Sequence, residues 1–134
     1  MFLHMITLII RAYRFQRGAP TTRTPENIAR VISYIHAHFA ERIEMDNLAR
    51  MAELSRSQFF CAFKEYQGYS PLQYLIRTRV IQAQKLLEET VMNITEVAFA
   101  VGFEDSNYFT RQFKKYTGVT PRAYRKTARE GGFA

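Results

Sequence analysis

The sequence holds a single cysteine, no tryptophan, four prolines and six glycines in 134 residues. The lone Cys61 excludes an intramolecular disulfide framework and a cysteine-rich zinc site. Acidic side chains are the scarcer charge: 12 Asp and Glu face 19 Lys and Arg, for a formal net charge of +7. A membrane-spanning run is also missing. The most apolar stretch, residues 2–10, is cut by Arg11 and Arg14, well short of the roughly 20 residues a spanning helix needs. Those arginines follow the apolar run, whereas a secretory signal carries its positive charge before it. The sequence is therefore expected to act in the cytoplasm.

Catalytic patterns are equally scarce. There is no glycine-rich phosphate loop, and nothing supplies Cys61 with a matched base and orienting residue for nucleophilic attack. His36 and His38 are two apart and point to different faces of a helix, while His4 is isolated. Neither an enzyme, a metal site nor a cofactor is expected.

What is present is a chain of 47% hydrophobic residues, which excludes wholesale disorder, at a length suited to one domain or two small lobes. Its charge is uneven: +3 over residues 48–80 and +4 over 97–134, separated by −2 over 81–96. Two basic stretches around an acidic connector fit a two-lobed face for a polyanion, either nucleic acid or an acidic membrane surface.

From Thr24 onward the punctuation predicts helices. Thr24 can cap a helix with Pro25 at its first position, and Ile28, Val31, Ile32, Ile35 and Phe39 then recur at helical spacing. A short helix follows at about 45–52, with Leu48, Ala49, Met51 and Ala52 facing inward. Ser55-Arg56-Ser57-Gln58 is a capping box opening a third helix that stops before Gly68. Ser70-Pro71-Leu72-Gln73 repeats that logic for a fourth, running to about Glu89 with Leu72, Leu75, Ile76, Val80, Ala83, Leu86 and Leu87 apolar. Asn93-Ile94-Thr95-Glu96 opens a fifth ending at Gly102, Asp105 caps a sixth ending near Gly118, and Thr120-Pro121 starts a last one. No stretch alternates cleanly enough for a strand, so the expected class is all-α.

The most informative feature is an internal repeat. Phe63-Lys64-Glu65-Tyr66-Gln67-Gly68-Tyr69-Ser70-Pro71 recurs fifty residues later as Phe113-Lys114-Lys115-Tyr116-Thr117-Gly118-Val119-Thr120-Pro121. Upstream the offset is forty-nine: Leu48-Ala49 matches Val97-Ala98, and Leu54 matches Phe103. Each unit reads as a short helix, a tight turn and a capped longer helix, the helix-turn-helix order whose second helix enters the DNA major groove. The helix between the units would span about 28 Å, near the ~34 Å between successive major-groove faces of B-DNA.

This duplicated pattern resembles the DNA-binding domain of the AraC/XylS family of bacterial transcription regulators over residues 26–126. The resemblance is carried by Ile94 to Ala98, Gly102-Phe103, Asn107-Tyr108-Phe109, Arg111, Phe113-Lys114, Gly118 and Pro121 through Tyr124-Arg125. Arg79, Ala83, Leu86 and Leu87 add to it in the connecting helix. It implies a seven-helix, all-α double helix-turn-helix: two homeodomain-like lobes, at about 45–67 and 94–117, joined by a linker helix at 71–89. On that division residues 1–25 are an apolar helix and linker, 26–128 the DNA-binding domain and 129–134 a tail. The implied partners are double-stranded DNA and RNA polymerase, with transcription activation as the output.

Carried over by position, the second recognition helix should offer DNA Ser106, Asn107, Thr110, Arg111 and Lys114. Arginine can bond guanine O6 and N7 together, asparagine can pair with adenine, and hydroxyls add groove or phosphate bonds. For Asn107, near the helix start, local capping is the alternative role, and Phe109 and Phe113 should be core. In the first lobe Arg56 and Ser57 stand at DNA-facing positions, but Phe60 and Cys61 replace a small polar residue and an arginine. Phe60 could touch thymine methyls or simply pack. Cys61 lacks the charge and reach for bidentate readout, so this lobe is expected to read sequence weakly, with Arg56 and Lys64 supplying backbone affinity. At the C-terminus, Arg122, Arg125, Lys126 and Arg129 are solvated or phosphate-facing, with Arg125 a structural candidate.

Two function classes follow: a sequence-specific DNA-binding regulator, or a protein-interaction antagonist of the same fold with weakened readout. Phe2, Met5, Ile6, Ile9 and Tyr13 recur at 3-4-3-4 spacing, a seam suited to a partner helix and hence to a homodimer through the N-terminal segment. No sensing domain fits in residues 1–25, so the chain is either a standalone regulator or the C-terminal part of a longer one.

Overall fold

The computed structural model describes residues 24–131, so the expected N-terminal helix, its self-association seam and most of its linker lie outside the described residues. Within them the chain forms seven α-helices and no strand. They are α1 (Thr24–His38), α2 (Met45–Met51), α3 (Arg56–Gln67), α4 (Pro71–Glu89), α5 (Ile94–Ala100), α6 (Ser106–Thr117) and α7 (Pro121–Arg129). The helices fall into two compact units, residues 24–37 with 43–74, and residues 38–42 with 75–131.

The first unit buries Ile28, Val31 and Ile35 from α1, Leu48 and Ala49 from α2, and Phe59, Ala62 and Phe63 from α3. The second buries Ile76, Val80, Ala83 and Leu87 from α4 with Val97, Ala98, Val101, Phe103, Phe109 and Phe113. Phe109 and Phe113 are core, as their spacing requires.

The helix starts are set by local chemistry. Ser55 Oγ accepts the Gln58 N–H while the Gln58 side chain accepts the Ser55 N–H, each at 3.2 Å. Ser70 and Gln73 make the same reciprocal pair at 3.2 and 3.0 Å. Asn93 accepts from the Glu96 N–H, Asp105 from Asn107 and Thr120 from Ala123. Gly68 and Gly118 end α3 and α6 in the left-handed region, at φ +79° and +85°. Ser55→Ala is expected to destabilise the first unit by about 1 kcal/mol, because the N-terminal N–H groups of α3 lose their acceptor. A urea melt followed by circular dichroism checks this, and an unchanged midpoint would show that water replaces the cap without cost.

The repeat is structural as well as sequential. The Leu54 N–H donates to Ala49 O at 3.1 Å, and forty-nine residues on the Phe103 N–H donates to Ala98 O at 3.0 Å. One additional residue, Glu104, lengthens the second turn and shifts the offset to fifty. Phe63 meets Tyr74 edge-on at 5.5 Å and 75°, and Phe113 meets Tyr124 at the same distance and angle. The anchors of the two tyrosines differ. Tyr74 OH bonds His36 Nε2 at 2.7 Å, while Tyr124 OH donates to the Glu88 carboxylate. Burial, reinforced by that carboxylate, pushes the Tyr124 phenol up to about 12.

Four details depart from the sequence reading. Thr24 is itself helical in α1 rather than a cap ahead of it. Leu72 is 48% exposed, because the buried line through the first turn of α4 passes through Pro71 and Leu75. Phe39 does not extend the apolar stripe of α1; the helix stops at His38 and Phe39 packs against the core of the second unit. α5 ends at Ala100, with Val101 as its cap and Gly102 turning the chain at φ +103°.

Candidate nucleic-acid interface

In the second unit, α5, the turn at 101–105 and α6 form one helix-turn-helix. Phe109 and Phe113 are fully buried and fix which side of α6 faces solvent. On that solvent side Asn107, Arg111 and Lys114 are exposed, while Ser106 and Thr110 are half-buried. The Arg111 guanidinium lies 5.9 Å from the centre of the Tyr108 ring, and that ring rests edge-on against Phe103 at 5.9 Å. Thr110 Oγ1 donates to Ser106 O at 2.9 Å, which leaves its lone pairs but not its proton for a ligand. The cap of α6 is the Asp105 carboxylate, bonded to the Asn107 N–H at 2.9 Å, so the Asn107 side chain is not consumed in starting its own helix.

The turn beneath this surface is held by Arg79. Its Nε donates to Phe39 O at 2.7 Å and its terminal nitrogen to Glu41 O at 3.0 Å, with the guanidinium 5.7 Å from the Phe103 ring centre. Burial pulls its pKa down, opposed by Glu104 and Tyr108. Arg125 plays a comparable part at the end of α4, donating to Leu87 O at 3.1 Å and Thr90 O at 3.4 Å. That placement makes Arg125 structural.

In the first unit, α2, the turn at 52–55 and α3 repeat the arrangement. Arg56, Ser57 and Lys64 are exposed; Phe60 and Cys61 are half-buried. The Arg56 guanidinium lies 5.6 Å from the Phe60 ring centre and its Nη1 is 3.7 Å from Asp46 Oδ1 on α2. Within each unit the candidate residues are thus gathered on one recognition helix. Sequence reasoning missed Asp46 and the stacking role of Tyr108. The latter was visible in principle, since Tyr108 and Arg111 are three apart on a helix. It also missed Glu53, which takes the turn position of Gly102 at φ +57° and accepts a hydrogen bond from Asn27 Nδ2 at 3.2 Å.

Among the described residues no helix is long and apolar enough to cross a membrane, and no group of three His, Cys, Asp or Glu could hold a metal. Two helix-turn-helix units, each presenting a capped, basic recognition helix, define a double helix-turn-helix protein.

Comparison with known proteins narrows that class. A profile described as a helix-turn-helix domain matches residues 48–127. The chain is 34% identical over 99 residues to the MmsAB operon regulatory protein of Pseudomonas aeruginosa, across 74% of this chain and 32% of that protein. It is 29% identical over 126 residues to the transcriptional activator RhaS of Salmonella schwarzengrund, across 94% of this chain and 44% of that one. The chain thus spans less than half the length of these relatives. Among solved structures, the DNA-binding domain of AdpA, a global transcriptional factor crystallised with a target DNA, superposes with a TM-score of 0.74 at 36% identity. The match covers 78% of this chain and 94% of that one. An AraC-type regulator from Chromobacterium violaceum gives a TM-score of 0.71 at 27% identity, covering 78% and 93%. This chain belongs to the AraC-type helix-turn-helix family. The family and fold are those of DNA-binding transcription regulators rather than enzymes.

Proposed function

We propose that residues 26–128 are the DNA-binding module of a bacterial cytoplasmic transcription regulator, an activator, that places α3 and α6 in the major groove of duplex DNA. The observation that carries this reading is the solvent face of α6. There an exposed arginine, its guanidinium over the Tyr108 ring, and an exposed asparagine stand beside Lys114, opposite the fully buried Phe109 and Phe113. Arg111 and Asn107 supply base contacts; Lys64 and Lys114 supply phosphate contacts. RNA polymerase contact and self-association through the seam in residues 1–16 complete the proposal.

The test is a titration of the chain against duplex DNA at several salt concentrations. If about six phosphates are neutralised, affinity falls roughly a thousandfold between 50 and 200 mM salt. Selection from random duplexes should return a defined site. Absence of duplex binding at low salt would favour the protein-interaction antagonist, for which Cys61, in place of an arginine on α3, is the supporting observation.

A further inference from the structure

The first lobe lacks the arginine that the second lobe uses. The counterpart of Arg111 is Cys61, half-buried and uncharged, and the counterpart of Thr110 is Phe60. Yet a guanidinium stacked on an aromatic ring is present in both lobes. In α6 the ring comes first and the arginine follows, as Tyr108 and Arg111. In α3 the order is reversed, as Arg56 and Phe60. Resting on the DNA-binding reading above, we infer that Arg56 is the base-reading residue of the first lobe. It takes a guanine, and Phe60 serves both as its platform and as the contact for a thymine methyl on the adjoining base pair.

Three observations carry the assignment. Arg56 is the first residue of α3, and the N-terminal residues of a recognition helix are those that reach base edges. Phe60 follows one turn later on the same face, and its ring centre lies 6.0 Å from that of fully buried Phe59, inclined at 63°. The half-buried ring thus lies beside the core, and the guanidinium is 5.6 Å from its centre. Stacking holds a long, rotamer-rich side chain near one geometry, so less freedom is lost when its planar fork meets the O6 and N7 acceptors of guanine. The third observation is Asp46, whose Oδ1 lies 3.7 Å from Arg56 Nη1. Both side chains are mostly exposed, so the pair is too weak to hold the arginine back. A carboxylate at that distance repels the full negative charge of a phosphate more strongly than the uncharged O6 and N7 edge of guanine. Arg56 is therefore better placed for a base than for the backbone.

The experiment uses the full chain and the duplex recovered by site selection, with binding read by fluorescence anisotropy. Each guanine of the first half-site is replaced in turn by 7-deazaguanine, which lacks N7, and each thymine by uracil, which lacks the methyl. Wild type should lose affinity at one guanine and at one neighbouring thymine. Arg56→Lys keeps the charge but not the fork; it should lower affinity for the selected site roughly tenfold, spare random duplex, and abolish the 7-deazaguanine effect at that guanine. Phe60→Leu keeps apolar packing on Phe59 and should melt like wild type, yet weaken discrimination at the same guanine. Equal loss of selected and random duplex in Arg56→Lys would make Arg56 a phosphate contact and overturn the assignment. So would an undiminished 7-deazaguanine effect in that variant; in both cases the DNA-binding reading stands. A wild-type chain that binds no duplex at low salt overturns both.

Discussion

Gly102→Ala is expected to lower the melting temperature by about 10 °C or more, the largest loss expected for a Gly→Ala change among the described glycines. Gly102 sits at φ +103°, outside the region side-chain-bearing residues adopt readily, and a Cβ there would lie 2.7 Å from Phe39 O. It would also lie 2.9 Å from Arg79 Nε and 3.0 Å from Ala40 Cα. None of these atoms can yield alone, because Arg79 Nε donates to Phe39 O and the same guanidinium holds Glu41 O. Backbone strain and overpacking together come to about 2–5 kcal/mol. Gly118 is the control. At φ +85° it has nothing within 4 Å of an added Cβ, so Gly118→Ala carries the left-handed penalty alone, about 1–2 kcal/mol. Thermal melts of the two variants side by side decide the matter, and equal midpoints would show that the close approach to Phe39 does not govern the turn.

The contrast between Gly102 and its first-lobe counterpart shows where the sequence stops being readable. Helix starts were legible because Ser55, Ser70, Asn93, Asp105 and Thr120 act within three residues of themselves. The stops at Gly68 and Gly118 were legible for the same reason. The repeat then exposed the double architecture, since two copies of one turn must fold alike. Glu53 was not legible as a left-handed residue: what supports it there is Asn27, twenty-six positions away. Phe39 and Arg79 meet across forty residues, which no local pattern encodes. In the candidate site, exposure on α6 followed from the burial of Phe109 and Phe113 at helical spacing. The Asp46 to Arg56 approach and the hydroxyl of Thr110 turned onto Ser106 O were hidden, one by the turn between α2 and α3 and one by a rotamer.

Arg111→Ala is expected to lower affinity for the selected duplex about tenfold to a hundredfold while leaving random duplex nearly as tightly bound. A bidentate arginine–guanine pair is worth about 1–3 kcal/mol of discrimination, and that difference disappears with the fork. The geometry favours readout over phosphate contact. Arg111 is exposed in the second turn of α6, and its guanidinium is held 5.9 Å from the Tyr108 ring, which itself leans on buried Phe103. Lys114, in the last turn of α6 and proposed above as a phosphate contact, is still present in the variant. Arg111→Lys separates charge from shape: it should keep the wild-type salt dependence of binding but lose the preference for guanine, because an ammonium cannot present two parallel donors. Tyr108→Leu should sit between, with the arginine present but its orientation no longer fixed by the ring. If Arg111→Ala weakens selected and random duplex by the same factor, and the slope of affinity against salt falls by about one phosphate, Arg111 neutralises the backbone and the specificity of α6 resides in Asn107.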